Sequence, residues 1–575
     1  MDKLSSIFRS LSKSTVHVVL IILVGLLCYS NTLKAPFQWD ELAFIEDYPL
    51  VKDISYFLEP SKAEGHGYYH VLLNRYIGFL TFALNYKIHG LDVTGYHIVN
   101  ISIHLLNSLL VYFLVVLTFK TPFFVRRPVP DQPLHASMVS FLSALLFVSH
   151  PVQTEAVTYI FQRHASLVTT FYLLSMLCYI KYGLRQSADG KVDVLSAFYY
   201  PASLISCILA MKTKENAFTL PIMITMYEFF FFDGRTMKRL LRLIPILLTL
   251  LIIPLTLTGI DRPAREIIGS MADAARGDSN TSRPDYLFTQ IRVVVTYIRL
   301  LFFPADQNID YDYPVFHSFF DQQVLLSFMF HLSIFCFSVY LFYRSRIIHP
   351  AFRLTAFGIT WFYITLSVES SVIPIPMIIN EYRIYLPSVG FFAGASSCLF
   401  LLISAFKSKA VRNVAIAFLA LIPITLSYAA HERNGIWKNE ISLWEDVVRK
   451  SPGKARGYNN LGFFHSNQGN IDKAIEYYHI ALKLDPYEAK TYNNLGTIYG
   501  NKGMDDKALE YFRISVNLRP DFAEAHFNLG LAFFYKGLMP EAAREFETAL
   551  QINPAYEEAR RRLSAIAAKN ASRPR

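Results

Sequence analysis

Residues 96–118 read YHIVNISIHLLNSLLVYFLVVLT, twenty-three positions without an Asp, Glu, Lys or Arg. A helix of that length reaches about 34 Å, enough to cross a hydrocarbon core of about 30 Å. His97 and His104 lie seven apart with Asn100 between them, so the three share one face of the helix. Polar groups inside lipid need partners. Such a face therefore implies neighbouring helices that take its hydrogen bonds, with metal binding by the two histidines as the rarer alternative. The fold starts as a bundle of membrane helices.

Working outward, further apolar runs are centred in 16–33, 136–149, 165–183, 195–211, 216–232, 240–258, 324–343, 352–367, 386–406 and 411–430, which makes eleven expected spans. The stretch 287–303 stands apart, because Arg292 and Arg299 lie seven apart on one face, as suits an interfacial or re-entrant helix. Composition agrees: 53% of the 575 residues are hydrophobic and only 17% are charged, below the roughly 25% of soluble domains. A net charge of +10 could point to nucleic acid, but no basic patch is interleaved with stacking aromatics, so that partner is excluded. The five cysteines, Cys28, Cys178, Cys207, Cys336 and Cys398, lie in apolar runs without CxxC spacing and read as small buried hydrophobes. Lys3, Arg9 and Lys13 precede the first apolar run, and no small-x-small cleavage site follows it, so an uncleaved signal-anchor is expected.

Orientation follows from the short loops. With the N-terminus cytoplasmic, segments 1–15, 119–135, 181–193, 233–242, 344–353 and 407–412 face inward and carry 19 Lys/Arg against five Asp and no Glu. Eleven spans then put the C-terminal part outside, in periplasm or organelle lumen. That part is periodic: Pro452, Pro486, Pro520 and Pro554 are 34 residues apart, as are Gly462, Gly496 and Gly530, and Ala474, Ala508 and Ala542. This period and pattern are the tetratricopeptide signature. Three repeats are expected at 455–488, 489–522 and 523–556, with small residues where the two helices of a repeat cross. A connecting segment, 431–454, precedes them, and a charged capping helix and tail, 557–575, follow; residues 1–430 form the membrane domain.

Unusual polar residues gather in the outward loops: Asp40, Glu41 and Arg75 in the first, His150, Glu155, Arg163 and His164 in the second, Lys214 and Glu215 in the third, Asp310 and Asp312 in the fourth, and Glu381, Arg383 and Tyr385 in the fifth. They can converge at the membrane surface. Arginine and lysine there suit the phosphate of a lipid-linked sugar donor, and they stabilise it as it departs. A nearby carboxylate suits a general base for an acceptor hydroxyl. No Gly-rich phosphate cradle appears, as expected for a donor without a nucleotide.

The segments WDE (39–41), GYHIVNISIHLLN (95–107), HPVQTEAVTYIFQRHA (150–165), KENAFTLP (214–221), DYDYP (310–314) and NEYRIYLPSVGF (380–391) resemble the transmembrane and tetratricopeptide repeat-containing family, which belongs with the protein O-mannosyltransferases in the GT-C glycosyltransferase class. The resemblance implies an all-α fold, a polytopic GT-C-type domain followed by a repeat solenoid. It also implies that the acidic pair Asp40–Glu41 lies at the catalytic centre, with Asp40 as base and Glu41 positioning the acceptor or a metal; a divalent ion is left open and no other cofactor is implied. Animal members usually carry two aspartates and more repeats, so this chain is similar to a bacterial relative. The other reading of Asp40 is a cap on a helix beginning at Glu41.

On this view Arg163, Arg383, Arg75 and Lys214 bind the donor phosphate. The alternatives are pairing of Arg163 and Arg383 with Glu155 and Glu381, a snorkelling Arg75, and a local Lys214–Glu215 pair. His150, Glu155, His164, Glu215, Asp310, Asp312, Glu381 and Tyr385 line the cavity. Asn460, Asn494 and Asn528, 34 residues apart, form a ladder that grips an acceptor peptide or else serves the repeat fold. The expected function is transfer of mannose or another hexose from a polyprenyl-phosphate donor to Ser or Thr of an exported protein. The expected place is a bacterial inner membrane with periplasmic repeats, or alternatively the endoplasmic reticulum membrane with lumenal repeats. A non-catalytic scaffold and a lipid-linked-sugar transporter are the rivals.

Overall fold

The computed structural model describes residues 14–63, 66, 69–189, 194–233, 236–258, 281–371 and 374–571. Lys3, Arg9 and Lys13, parts of the 181–193 and 233–242 inner segments, much of the fourth outer loop and the last four residues of the tail lie outside the described residues. Every regular element among the described residues is a helix. The chain divides into two units, residues 1–309 with 313–438, and residues 310–312 with 439–575.

Among the described residues of the first unit, seven helices are long and apolar enough to cross a membrane: Val93–Thr118, Gln132–Ser149, Ile160–Gln186, Met237–Thr256, Gln322–Arg344, Glu381–Ser404 and Lys409–Lys438. The other four expected spans are short helices, Ser14–Tyr29, Ala197–Met211, Leu220–Phe231 and Phe352–Leu366. The 287–303 stretch lies in a separate helix, Arg283–Phe302, which is not among the seven. Gly390 and Gly394, four apart on Tyr385–Ser404, let that helix approach Phe352–Leu366 closely: a Cβ on Gly358 would stand 2.3 Å from the Gly390 carbonyl oxygen. Small residues at such spacing are how membrane helices pack backbone to backbone.

The polar face of Val93–Thr118 is used for bonds between segments. His97 Nε2 lies 2.9 Å from the Ala35 carbonyl, and Asn100 donates to the carbonyls of Val157 and Ile160. His104 Nε2 faces the Val148 carbonyl at 3.2 Å, which makes it the protonated nitrogen; Nδ1 then accepts from the Tyr385 hydroxyl at 2.7 Å. That phenol accepts from Asn107 at 3.2 Å. Tyr385, expected in the cavity wall, is instead buried among helices by these two bonds. The cysteines are all free, and Cys336 and Cys398 are exposed, contrary to the expectation of burial.

The second unit runs from Glu440–Lys450 through three helix pairs, Ala455–Asn467 with Ile471–Leu484, Ala489–Asn501 with Asp505–Leu518, and Ala523–Tyr535 with Met539–Ile552, to Glu557–Ala571. The glycines of the 34-residue period sit where the paired helix lays an aromatic ring: a Cβ at Gly462, Gly496 or Gly530 would meet Tyr478, Phe512 or Phe546 at 2.6–2.7 Å. Gly469, Gly503 and Gly537 end the first helix of each pair at φ +80°, +71° and +79°, a left-handed conformation that glycine adopts without strain. A test follows. Alanine gains about 1 kcal/mol over glycine in a helix interior, but overpacking costs about 1–3 kcal/mol. Gly496→Ala is therefore expected to speed hydrogen exchange in the 489–518 helices. Gly500→Ala, whose nearest neighbour is 3.7 Å away, is expected to slow it.

Candidate functional site

The acidic pair sits on a strained turn. Trp39 has φ +51°, a conformation that a bulky side chain adopts only when its surroundings impose it. The next residues, Leu42–Glu46, form a π-helical turn, whose N-cap Glu41 makes no side-chain cap bond. Glu41 is buried, and its carboxyl accepts from the Gln38 N–H at 2.6 Å and from the Phe161 N–H at 3.0 Å. It thus stitches the segment after Ser14–Tyr29 to the segment after Gln132–Ser149. Asp40 is half-buried, and its N–H donates to the Tyr159 hydroxyl at 3.1 Å. Tyr159 also hydrogen-bonds the Asp40 side chain; burial, then the Asp40 and Glu41 charges, hold the phenol far above its ordinary range, so it remains protonated. Its ring stacks on Trp437 at 5.5 Å. Strain at Trp39, the Glu41 stitch and the Tyr159 bond together fix where Asp40 points.

Burial pushes the Glu41 carboxyl up to about 8, the two backbone donors and the Ile160 backbone pull it down, and Asp40 raises it. A carboxyl whose folded value exceeds its unfolded one loses stability as it ionises. The stability attached to Glu41 is complete below about 4.5 and declines as pH rises through about 8. Thermal unfolding between pH 5 and 9 should show that decline, and Glu41→Gln should flatten it.

The cations form a second cluster, built on carboxylates. Arg75 forks onto Glu215, with Nε–Oε1 and Nη2–Oε2 both 3.1 Å, and both side chains are partly open to solvent. Burial works against the charged form of Glu215, but Arg75 outweighs it and holds the carboxyl below its usual range. Lys214 turns the other way, into a buried pair with Glu369 at 2.6 Å, and its ammonium lies 4.5 Å from the centre of the Tyr382 ring. The expected local Lys214–Glu215 pair is therefore replaced by two cross-loop pairs. His164 is buried beside this cluster, its Nδ1 2.9 Å from the Phe161 carbonyl. Its ring and that of Phe161 pack on Phe79 and Phe82. The 159–164 turn thus touches the acidic pair through Tyr159 and the Phe161 N–H, and His164 lies within electrostatic reach of Arg75, Lys214 and Glu215.

Other expected phosphate and cavity residues are consumed by the fold. Arg163 is fully buried, donating to Asn100 Oδ1 at 2.6 Å and the Tyr96 carbonyl at 3.1 Å, with its guanidinium 4.5 Å from the Phe82 ring centre. Arg383 is buried and holds the Met377 and Ile378 carbonyls. Neither pairs with Glu155 or Glu381 as the alternative had it. Glu155 instead accepts from the N–H groups of Glu381 and Tyr382 at 2.7 and 3.1 Å, and Glu381 accepts from Asn308 N–H at 2.7 Å and Gln307 Nε2 at 2.5 Å. Burial, then the neighbouring Glu381, raises the Glu155 carboxyl above its usual range. His150 accepts from the Val152 N–H, and Nε2 faces the Leu301 carbonyl; burial pushes it down to about 3, so it stays neutral. These residues bind loops to one another.

Asp310 and Asp312, expected in the cavity wall, fall in the second unit. Asp310 is fully buried against Lys454 at 2.6 Å and Arg456 at 3.7 Å, and the Asp312 N–H donates to Ser451. In the repeats, Asn494 and Asn528 donate to Asn459 and Asn493 of the preceding repeat at 3.1 and 2.9 Å. These bonds serve the stacking of repeats, while Asn460 begins the series and is half-buried. Among the described residues no group of three or more His, Cys, Asp or Glu is placed to hold a metal ion.

The sequence reading missed Tyr159, which orients Asp40, and Glu369, which receives Lys214. Glu369 had one visible signal: it is the sole charged residue between 367 and 380, in a largely apolar, proline-containing stretch.

Tetratricopeptide repeat models match residues 455–488 and 493–557. The chain is 24% identical over 538 residues to the protein O-mannosyl-transferase Tmtc3 of Drosophila melanogaster, covering 83% of this chain and 56% of that protein. It is 26% identical to the protein O-mannosyl-transferase F38B6.6 of Caenorhabditis elegans, covering 81% and 62%. This chain thus spans little more than half the length of these relatives. A crystal structure of ArnT from Cupriavidus metallidurans bound to undecaprenyl phosphate aligns with a TM-score of 0.40 and 14% identity over 89% of this chain and 81% of that one. The resemblance to O-mannosyltransferases drawn from the sequence is borne out by these relatives, as are the helical membrane architecture and the repeats.

Proposed function

We propose that this membrane protein is a glycosyltransferase that moves a sugar, mannose or another hexose, from a polyprenyl-phosphate donor to a Ser or Thr hydroxyl of an exported protein. The observation that carries the reading is the Asp40 turn, where a strained Trp39, a buried Glu41 and the Tyr159 bond hold one half-buried carboxylate in place. The names of the relatives support the reaction class.

In the proposed step the acceptor oxygen attacks the anomeric carbon as Asp40 takes its proton. The bond from that carbon to the phosphate oxygen breaks, and the lipid phosphate leaves with the electron pair. Arg75 is the cation best placed to meet it, because its pair with Glu215 is partly open whereas Arg163 and Arg383 are enclosed. A single displacement inverts the configuration. Glu41 acts as a positioning residue through its two backbone bonds. Acceptor recruitment belongs to the repeats, which the charge bias puts on the outer side of a bacterial inner membrane or in the lumen of the endoplasmic reticulum.

Purified protein in lipid vesicles, given a labelled polyprenyl-phosphate hexose and a Ser/Thr peptide, tests this. Label should appear on the peptide in the inverted configuration. Retained configuration would contradict a single displacement.

A further inference from the structure

Resting on that reading, we infer that the buried polar cluster of Glu369, Gln290 and Arg383 is the subsite for the donor's sugar hydroxyls, with Glu369 and Gln290 as its recognition residues. Two loops and a helix build it. Tyr286 and Gln290 are one turn apart on Arg283–Phe302 and share a face. The Tyr286 hydroxyl donates to the Glu369 carbonyl at 3.0 Å. Gln290 Nε2 and Arg383 Nη1 donate to the same Ile378 carbonyl, at 2.8 and 3.0 Å, which puts amide and guanidinium side by side. Lys214 enters from the third outer loop to hold Glu369 Oε1.

Each of these three side chains has a polar atom left over. Glu369 Oε2, Gln290 Oε1 and Arg383 Nε are buried without a hydrogen-bond partner, and so is Asn216 Oδ1, two residues along from Lys214. Glu369, Gln290, Arg383 and Asn216 are each more than nine-tenths buried. A buried polar atom without a partner costs about 1–3 kcal/mol, so four in neighbouring segments call for an occupant. Their chemistry selects it. Three of the four are acceptors, which need an O–H or N–H; a phosphate offers acceptors only. Arg383 Nε needs the reverse. Hydroxyls both donate and accept, so the set matches a polyol such as a hexose. The Gln290 orientation is fixed by its Ile378 bond, which leaves its oxygen as the unpartnered acceptor.

Selectivity follows from the same atoms. A site built to bond hydroxyls rejects a ligand lacking them, because its own buried groups then stay unpaired. The cluster therefore separates sugar-bearing from spent lipid phosphate, while Arg75 holds the phosphate that both share.

The test compares two lipids, polyprenyl-phosphate mannose and sugar-free polyprenyl phosphate, bound to the full chain in nanodiscs. Wild type should prefer the mannosyl lipid. Glu369→Gln should weaken it at least about tenfold, about 1.4 kcal/mol, with sugar-free lipid within about twofold of wild type. Because Glu369→Gln leaves Lys214 unpaired and can disturb folding, Gln290→Leu, which removes no charge and breaks no ion pair, serves as the second variant with the same expected pattern. Equal losses for both lipids, or no loss in a folded Gln290→Leu protein, overturn the inference: the cluster then binds water or is structural. Wild type binding neither lipid sinks the proposed function itself.

Discussion

Asp40→Asn is expected to lower sugar transfer by about 10²–10⁴-fold, the range that a positioned general base contributes, with thermal unfolding unchanged. The substitution keeps the side-chain shape on a turn whose backbone is set by other residues: Glu41 grips the Gln38 and Phe161 N–H groups, and Tyr159 accepts the residue-40 N–H, which asparagine retains. Only the ability to take a proton is lost. Donor binding should persist, since Arg75 and Lys214 lie in the other cluster. A non-catalytic scaffold predicts no change in any product. A variant that transfers at the wild-type rate removes Asp40 from the mechanism. One that loses donor binding and folding together makes it structural.

The second large effect separates the arginines. Arg163→Met should abolish accumulation of folded protein. The buried guanidinium is the donor to Asn100 Oδ1 and a second donor to the helical Tyr96 carbonyl; one orphaned acceptor at about 1–3 kcal/mol, with the lost second charged bond at about 1.5–3 kcal/mol, takes much of the about 5–15 kcal/mol that holds a typical protein together. Arg75→Met should behave in the opposite way. Its pair with Glu215 is partly solvent-exposed, and such pairs contribute about 0–1 kcal/mol, so folding survives. Turnover should drop by about 10²-fold or more as the departing phosphate loses its cation. Detergent-solubilised yield and melting temperature read the first variant, and single-turnover transfer reads the second. Equal melting temperatures for the two would contradict the division drawn between them.

Some of this was legible in the chain and some was not, for physical reasons. The repeats announce themselves because one steric problem recurs: an aromatic from the second helix needs a missing side chain at Gly462, Gly496 and Gly530. The polar stripe His97–Asn100–His104 was readable because lipid leaves polar groups no partner but another segment. The arginines were not separable. Arg75, Arg163 and Arg383 all lie in the polar motifs, but whether a guanidinium meets a half-exposed carboxylate or a buried carbonyl depends on which loop packs over it. The two glutamates Glu155 and Glu381 misled for a related reason: a carboxylate that caps backbone N–H groups looks, in sequence, like one that does chemistry. Asp310 is a longer-range case, since its partners Lys454 and Arg456 are about 145 positions away.

The most direct measurement follows both products at once: purified protein in sealed vesicles, a polyprenyl-phosphate hexose labelled in sugar and lipid, and an acceptor peptide. The account predicts sugar label on the peptide and an equal amount of sugar-free polyprenyl phosphate. Intact donor moved to the other leaflet without a new glycosidic bond, or donor left unchanged while the peptide binds, would contradict it.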